Sequence, residues 1–432
     1  MQNLRVQKYS SHLRPIICGI ALAVLGAGFH GELIRAAANE KHDKQVLRIA
    51  ALHSLEDEGL VDSVYNTFMK TLIKLNFKKH EWAKPGKNGR VVCDLSTPAS
   101  IRGGWLCSLM KDAWSETRLR GARGELQFVL SPNRDVLRDV FRRMLTDDIF
   151  VFHSDDSCLT LRCLDGMFRC NLDISSCDSS NGPAIFQLLR HLCPLEYDNI
   201  ISDLLDQCRQ AAVLGVGPTK FTFKPNWYYE YSGTTLTTLL NNLANTIIGL
   251  QLLECPFGTI EDTKLWVEAR LGVCGWLCTI QTCEYFEDLQ FLKNSPVHTV
   301  DGEVETMLNL GVILRALGQK SGDLMHPKLT FGQQSVLFNS ALTKGFVHAG
   351  THCVTKTLRS KYQADVEAIH TNATIRITGS DVGEIADYSI CRRYRITQSQ
   401  LDDLVSTIET AGPGDTINDI AARAMLKLDY GL

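Results

Sequence analysis

Ile149-Phe-Val-Phe-His-Ser-Asp-Asp-Ser-Cys-Leu-Thr-Leu-Arg162 is a pair of apolar, β-prone runs joined at an acidic turn. Leu164-Asp165-Gly166 leads into a third run, Met167-Phe-Arg-Cys-Asn-Leu172, which stops at Asp173. Asp-Gly between apolar runs is a strong hairpin signal, because glycine accepts the positive φ that tight turns need. From that turn about seven residues run to Asp173 and about nine run back to Asp156, so at ~3.3 Å per residue the two ends finish at similar heights. The spacing predicts Asp155 and Asp173 side by side at one sheet edge, with Asp156 supporting them. Two carboxylates ~4 Å apart repel by about 4 kcal/mol at an effective dielectric of 20, so such a cluster points to a cation site. A lone surface aspartate would carry no such meaning.

Two further stretches follow. Asp173-Ile-Ser-Ser-Cys-Asp178 continues from the third run, and Ser232-Gly-Thr-Thr-Leu-Thr-Thr-Leu-Leu-Asn241 opens a helix-like segment. Taken alone, the second reads equally well as a capped helix with a polar stripe.

Together the three stretches resemble motifs C, A and B of viral RNA-dependent RNA polymerases, in the order C-A-B where A-B-C is usual. That order resembles the permuted polymerases of birnaviruses, permutotetraviruses and the weivirus-like group. The resemblance implies an α+β right-hand polymerase with a ferredoxin-like antiparallel palm sheet. Residues 1–145 would be fingers with an N-terminal extension, 146–295 palm with a fingers insertion at about 183–230, and 296–432 a mostly helical thumb. It implies RNA-templated RNA synthesis from ribonucleoside triphosphates on an RNA template and product strand. Two Mg²⁺ (or Mn²⁺) ions would be held by Asp155, Asp156 and Asp173, since such ions take hard oxygen ligands. By the same resemblance Asp178 and Asn241, with Ser232, Gly233 and Thr237, bind the nucleotide and its ribose. Lys84, Lys87 and Arg90 resemble the basic motif that grips the triphosphate, and Phe291-Leu-Lys-Asn-Ser295 resembles the hairpin beside the primer.

The pattern departs from the family in three places. Ser154 stands where glycine is most common. Asp155-Asp156 stands where birnaviruses and permutotetraviruses usually carry Asp-Asn. The segment Trp266–Cys283 lacks the lysine that often donates a proton to pyrophosphate, with Lys264 or Lys293 as substitutes. Two other readings stay open: a reverse transcriptase-like or other palm nucleotidyltransferase, and a catalytically silent RNA-binding palm protein.

The remaining sequence sets bounds. At 432 residues and 44% hydrophobic the chain can bury a large core. With 45 basic and 48 acidic residues it has no general attraction for polyanions, so RNA must be held by local patches. Fifteen cysteines without a regular framework predict reduced, mostly buried thiols; Cys274, Cys278 and Cys283, or His348, His352 and Cys353, lack familiar zinc-ligand spacings. The uncharged segment 15–29 suits a buried small-residue helix, with a membrane contact as the alternative, and the setting implied is host cytoplasm or a membrane-associated replication complex. Residues 40–80 are predicted helical, as are 134–145, about 183–213 and 234–253. Residues 221–231 are predicted loop, with helical patterning from about 304 onward and one strand at 373–377. Asp147-Asp148 and Asp402-Asp403 are predicted to be solvated surface carboxylates.

Overall fold

The computed structural model describes residues 1–13, 73–77, 91–94, 97–116, 118–130, 132–193, 195–318, 350–362, 383–412 and 415–430. The apolar segment 15–29, the predicted helix before residue 73, the cations Lys84, Lys87 and Arg90, and the predicted strand at 373–377 lie outside them. The fold is α+β, with three sheets among the described residues.

The strands are β1 (Ile73–Phe77), β2 (Val91–Asp94), β3 (Leu119–Arg120), β4 (Glu125–Phe128), β5 (Ile149–His153) and β6 (Asp156–Cys163), then β7 (Gly166–Ile174), β8 (Ala212–Val216), β9 (Thr219–Phe223), β10 (Cys278–Thr282), β11 (Asn294–His298) and β12 (Val304–Leu308). The helices are α1 (Gln2–Tyr9), α2 (Thr97–Glu116), α3 (Arg134–Met144), α4 (Cys177–Ser180), α5 (Pro183–Leu192), α6 (Asp198–Gln207) and α7 (Thr237–Leu252). They continue with α8 (Ile260–Leu271), α9 (Leu310–Gly318), α10 (Cys353–Tyr362), α11 (Asp387–Tyr394), α12 (Gln398–Thr410) and α13 (Ile420–Tyr430).

The central sheet runs β10-β7-β6-β5-β4-β3 and is antiparallel except for the β4–β5 pair. That parallel step is bridged by α3, whose N-terminus is capped by Asn133 accepting from the Val136 N–H at 2.9 Å. The sheet therefore begins well before residue 146, with β3 and β4. Its inner strands β5 and β6 are buried along nearly their whole length because both faces are covered, and β5 is an almost unbroken apolar run. On one face lies α7, buried all round from Leu239 to Leu252. Gly249 permits this approach: a Cβ there would stand 2.4 Å from Cδ1 of Phe150 on β5.

The second sheet, β2-β1-β8-β9, joins the early strands to residues 212–223. Here three sequence expectations are corrected. Residues 73–77 are strand, not the end of a helix. Phe221–Phe223 lies in β9, whose residues are all exposed and so show no buried face. The single helix expected over 183–213 is two, α5 and α6, and Pro194 lies between them in sequence; proline lacks the N–H that would continue the ladder. The third sheet, β11-β12, places a strand at Val304–Leu308 where helical patterning is predicted, and packs with α9–α13 around a separate core.

The described cysteines are free thiols, most of them buried. No helix among the described residues is long and apolar enough to cross a membrane. Asp148 is also corrected: it is buried, with Oδ2 3.2 Å from Arg123 Nε and Oδ1 accepting the Arg162 N–H. Asp402 and Asp403 are exposed on α12, as expected.

Candidate active site

His153 pairs with Asp156, so the β5–β6 turn is only Ser154-Asp155. Ser154 has φ 56°, the left-handed backbone that a II′-type hairpin asks of its first turn residue and that glycine supplies most readily. Three asparagines of α7 hold this turn. Asn242 Oδ1 accepts the Ser154 N–H at 2.7 Å, Asn245 Nδ2 donates to the Ser154 carbonyl, and Asn241 Nδ2 reaches Ser154 Oγ at 3.4 Å. Ser154→Gly is expected to relieve about 1 kcal/mol of left-handed backbone cost while keeping both main-chain bonds, so thermal melts should show an equal or higher midpoint. Ser154→Val puts a β-branched side chain at that φ and should melt lower.

Asp156 stands level with Asp173 across the β6–β7 ladder, and Asp155 sits one residue beyond at the turn. The residue count sets Asp156 and Asp173 at similar heights, as the ladder has them, while Asp155, expected side by side with Asp173, lies one residue further on. The far loop is Leu164-Asp165, with Cys163 paired to Gly166. Directly opposed residues of an antiparallel pair share a face with Cβ atoms about 4.5–5.5 Å apart. Asp155 and Asp173 are exposed and Asp156 is half-buried. Burial, then Asp155 and Asp173, push the Asp156 carboxyl up to about 6; Lys293 and a hydrogen bond from the Leu292 backbone act in the opposite direction. The segment Phe291–Asn294 thus abuts Asp156, with Leu292 and Lys293 both at positive φ.

After β7 the chain turns at Ser176 (φ 50°) into α4, which carries Asp178. Asn241 Nδ2 donates to Asp178 Oδ1 at 2.7 Å, so these two predicted ribose ligands touch. Gly233 has φ +87°, which glycine accepts freely, and the Ser232 carbonyl accepts the Cys93 N–H at 2.7 Å. That bond ties β2, which directly follows Arg90 in sequence, to the start of α7. Thr237 begins that helix, its hydroxyl 3.2 Å from Thr234 Oγ1.

Asp155, Asp156 and Asp173 form an all-oxygen donor set, which suits a hard cation. Among the described residues no group of three or more His, Cys, Asp and Glu stands close enough to cage an ion unaided. Mg²⁺ does not require such a cage, because it commonly binds one or two carboxylates and completes its shell with water and substrate phosphate. The residues present fit that ion.

Sequence reasoning missed Asn181, Glu230, Asn242, Asn245 and Trp276. One signal was visible: Asn241, Asn242 and Asn245 interrupt an otherwise apolar helix, and buried asparagines need partners.

No protein-family model matches the chain, and no curated protein matches it. Among solved structures it is similar to one described as the X-ray structure of the birnavirus VP1-VP3 complex, with TM-score 0.39 and 11% identity over 87% of this chain and 56% of that one. The chain thus spans little more than half the length of that neighbour.

Proposed function

We propose that this protein copies an RNA template into RNA, extending a 3′-hydroxyl with ribonucleoside triphosphates at the Asp155–Asp156–Asp173 cluster. The observation that carries this reading is the register of Asp156 against Asp173 at a hairpin tip, beside the Asp178–Asn241 contact. In this reading the carboxylates gather divalent cations at one end of the sheet. When bound, two Mg²⁺ (or Mn²⁺) ions supply a lowered hydroxyl pKa and neutralise the triphosphate. Asp178 keeps an oxygen for the ribose 2′-hydroxyl, the group that separates RNA from DNA precursors. Lys84, Lys87 and Arg90 take the triphosphate in this reading.

The central sheet serves as palm, with 1–145 largely fingers and 296–432 the thumb. Pairing of β1 with β8 supports treating 183–230 as an insertion that joins the fingers. The exposed hairpin bearing Lys220, Phe221, Phe223 and Lys224 offers cations and stacking faces to an RNA strand. Replication in host cytoplasm, with a membrane contact through 15–29, completes the proposal.

The test is incorporation on RNA and DNA templates, with ribo- and deoxynucleotides, in Mg²⁺ or Mn²⁺. RNA-templated ribonucleotide incorporation is expected. Preference for deoxynucleotides would favour a reverse transcriptase, and no product under any condition would favour a silent RNA-binding protein.

A further inference from the structure

An asparagine amide has nearly the same shape at its two ends but opposite hydrogen-bonding character, so a site that uses one must fix which end faces the ligand. Asn241 is fixed through a relay of buried groups drawn from separate parts of the chain. The relay starts at Trp276, whose indole N–H can only donate, and which donates to Asn181 Oδ1 at 3.1 Å. The Asn181 Nδ2 is thereby turned toward two acceptors, Glu230 Oε2 at 2.9 Å and Asn241 Oδ1 at 3.0 Å. The thiol of Cys177 meets the same Asn241 oxygen at 3.1 Å. Asn241 is left with its Nδ2 facing Asp178, a carboxylate that can only accept. A donor-only group at one end and an acceptor-only group at the other leave the two amides between them one mutually consistent orientation.

Asn181, Glu230, Asn241 and Trp276 are each at most 5% exposed, so water cannot readily replace a lost partner. Glu230 is the costly member. Burial pushes its carboxyl well above the carboxylate range, against hydrogen bonds with Asn181 and Thr237 that act the other way. Burying a carboxyl carries a desolvation cost that its hydrogen bonds offset only in part.

We propose that Trp276, Asn181 and Glu230 are positioning residues that set the polarity of Asn241 and, through it, hold Asp178 to read the sugar 2′-hydroxyl. The inference rests on the polymerase reading and deepens it: selectivity for ribose is set by groups that do not touch the nucleotide. With one Asp178 oxygen engaged by Asn241, the other accepts from the 2′-hydroxyl. A deoxyribose leaves it unpaired, the situation in which a polar site discriminates strongly. If the relay is cut, the oxygen end of Asn241 loses the donor that anchors it, so the amide can swing away from Asp178 and leave the carboxylate unheld.

The test measures kcat and KM for a ribonucleotide and its deoxy counterpart on one RNA template, using the full chain. Trp276→Phe keeps an aromatic ring and deletes the donor; Asn181→Leu keeps bulk and deletes both amide ends. Each is expected to lower the ribo-over-deoxy ratio of kcat/KM by about tenfold or more. The loss should lie in the ribonucleotide KM, with kcat at saturation within about threefold of wild type. Glu230→Gln keeps an accepting oxygen for Asn181 and should retain the ratio, whereas Glu230→Leu should not. Thermal melts identify a variant that has lost its fold, and Asn181→Ser, which cannot donate to both partners, then replaces it. An unchanged ratio in folded Trp276→Phe and Asn181→Leu, or an equal loss for both sugars, overturns the inference and leaves the polymerase intact. A wild-type chain that makes no templated product instead sinks the polymerase reading, and this inference with it.

Discussion

Asp173→Ala should reduce RNA-templated incorporation by roughly a thousandfold or more, about 4 kcal/mol of barrier, without lowering the melting temperature of the metal-free protein. Both halves follow from the same geometry. Asp173 lies opposite Asp156 on the β6–β7 ladder, and its charge adds to burial and to Asp155 in pushing the Asp156 carboxyl up to about 6. Removing one carboxylate takes away a cation ligand and also a like-charge neighbour. A side chain retained for stability would behave in the opposite way, with its removal lowering the melt. The informative result is therefore the pair: activity lost and the metal-free melt unchanged or raised. Added Mg²⁺ should raise the wild-type melt and have less effect on the variant, because an ion that binds only the folded state stabilises it by mass action. If Asp173→Ala incorporates nucleotides at the wild-type rate, the cluster is not the site of chemistry.

The hairpin that carries this cluster was legible because its determinants are local. Apolar runs, an acidic turn and Asp165-Gly166 all fall within 25 residues (149–173), so strand count and direction followed from short-range rules. The place of Asp155 relative to Asp173 was not legible to the residue. It depends on whether the far loop is Leu164-Asp165 or Asp165-Gly166, and on Ser154 accepting a left-handed φ, neither of which a residue count contains. Longer-range features were harder. Ile73–Phe77 continues an apolar spacing that suits a helix, and becomes a strand because residues 212–214, far along the chain, offer it a parallel partner. The resemblance gave Asp178 and Asn241 a shared ligand, but not their direct contact. The Asn181, Glu230 and Trp276 behind it were not legible, because each belongs to a different segment and none has a sequence pattern of its own.

Asp429→Ala is expected to cost about 3–5 kcal/mol, the range for removing one partner of a buried ion pair and leaving the other charge uncompensated. Asp429 is 3% exposed and Arg393 2%. Arg393 Nη2 lies 2.9 Å from Asp429 Oδ1, while Oδ2 accepts from Tyr394 Oη at 2.9 Å and from the Gly311 N–H at 2.8 Å. One carboxylate thus joins α9, α11 and α13, and Arg393 Nη1 extends the link to the Glu287 carbonyl at 2.8 Å. The loss should appear as a lower denaturant midpoint, and as faster amide exchange in α9 and α13 than in β5–β7, where the bonds are independent of Asp429. Arg393→Met with Asp429→Leu removes both charges and should recover much of the stability, because an apolar pair no longer carries the desolvation cost. Activity supplies a separate readout. Lys293 Nζ donates to the Asp429 backbone carbonyl at 3.1 Å, and Lys293 also offsets the charge around Asp156. Loosening α13 should therefore impair incorporation at temperatures where the central sheet remains folded, and the double variant should restore it in step with α13 protection. If Asp429→Ala leaves exchange in α9 and α13 unchanged, the carboxylate does not hold these helices together, and no route remains from it through Lys293 to Asp156.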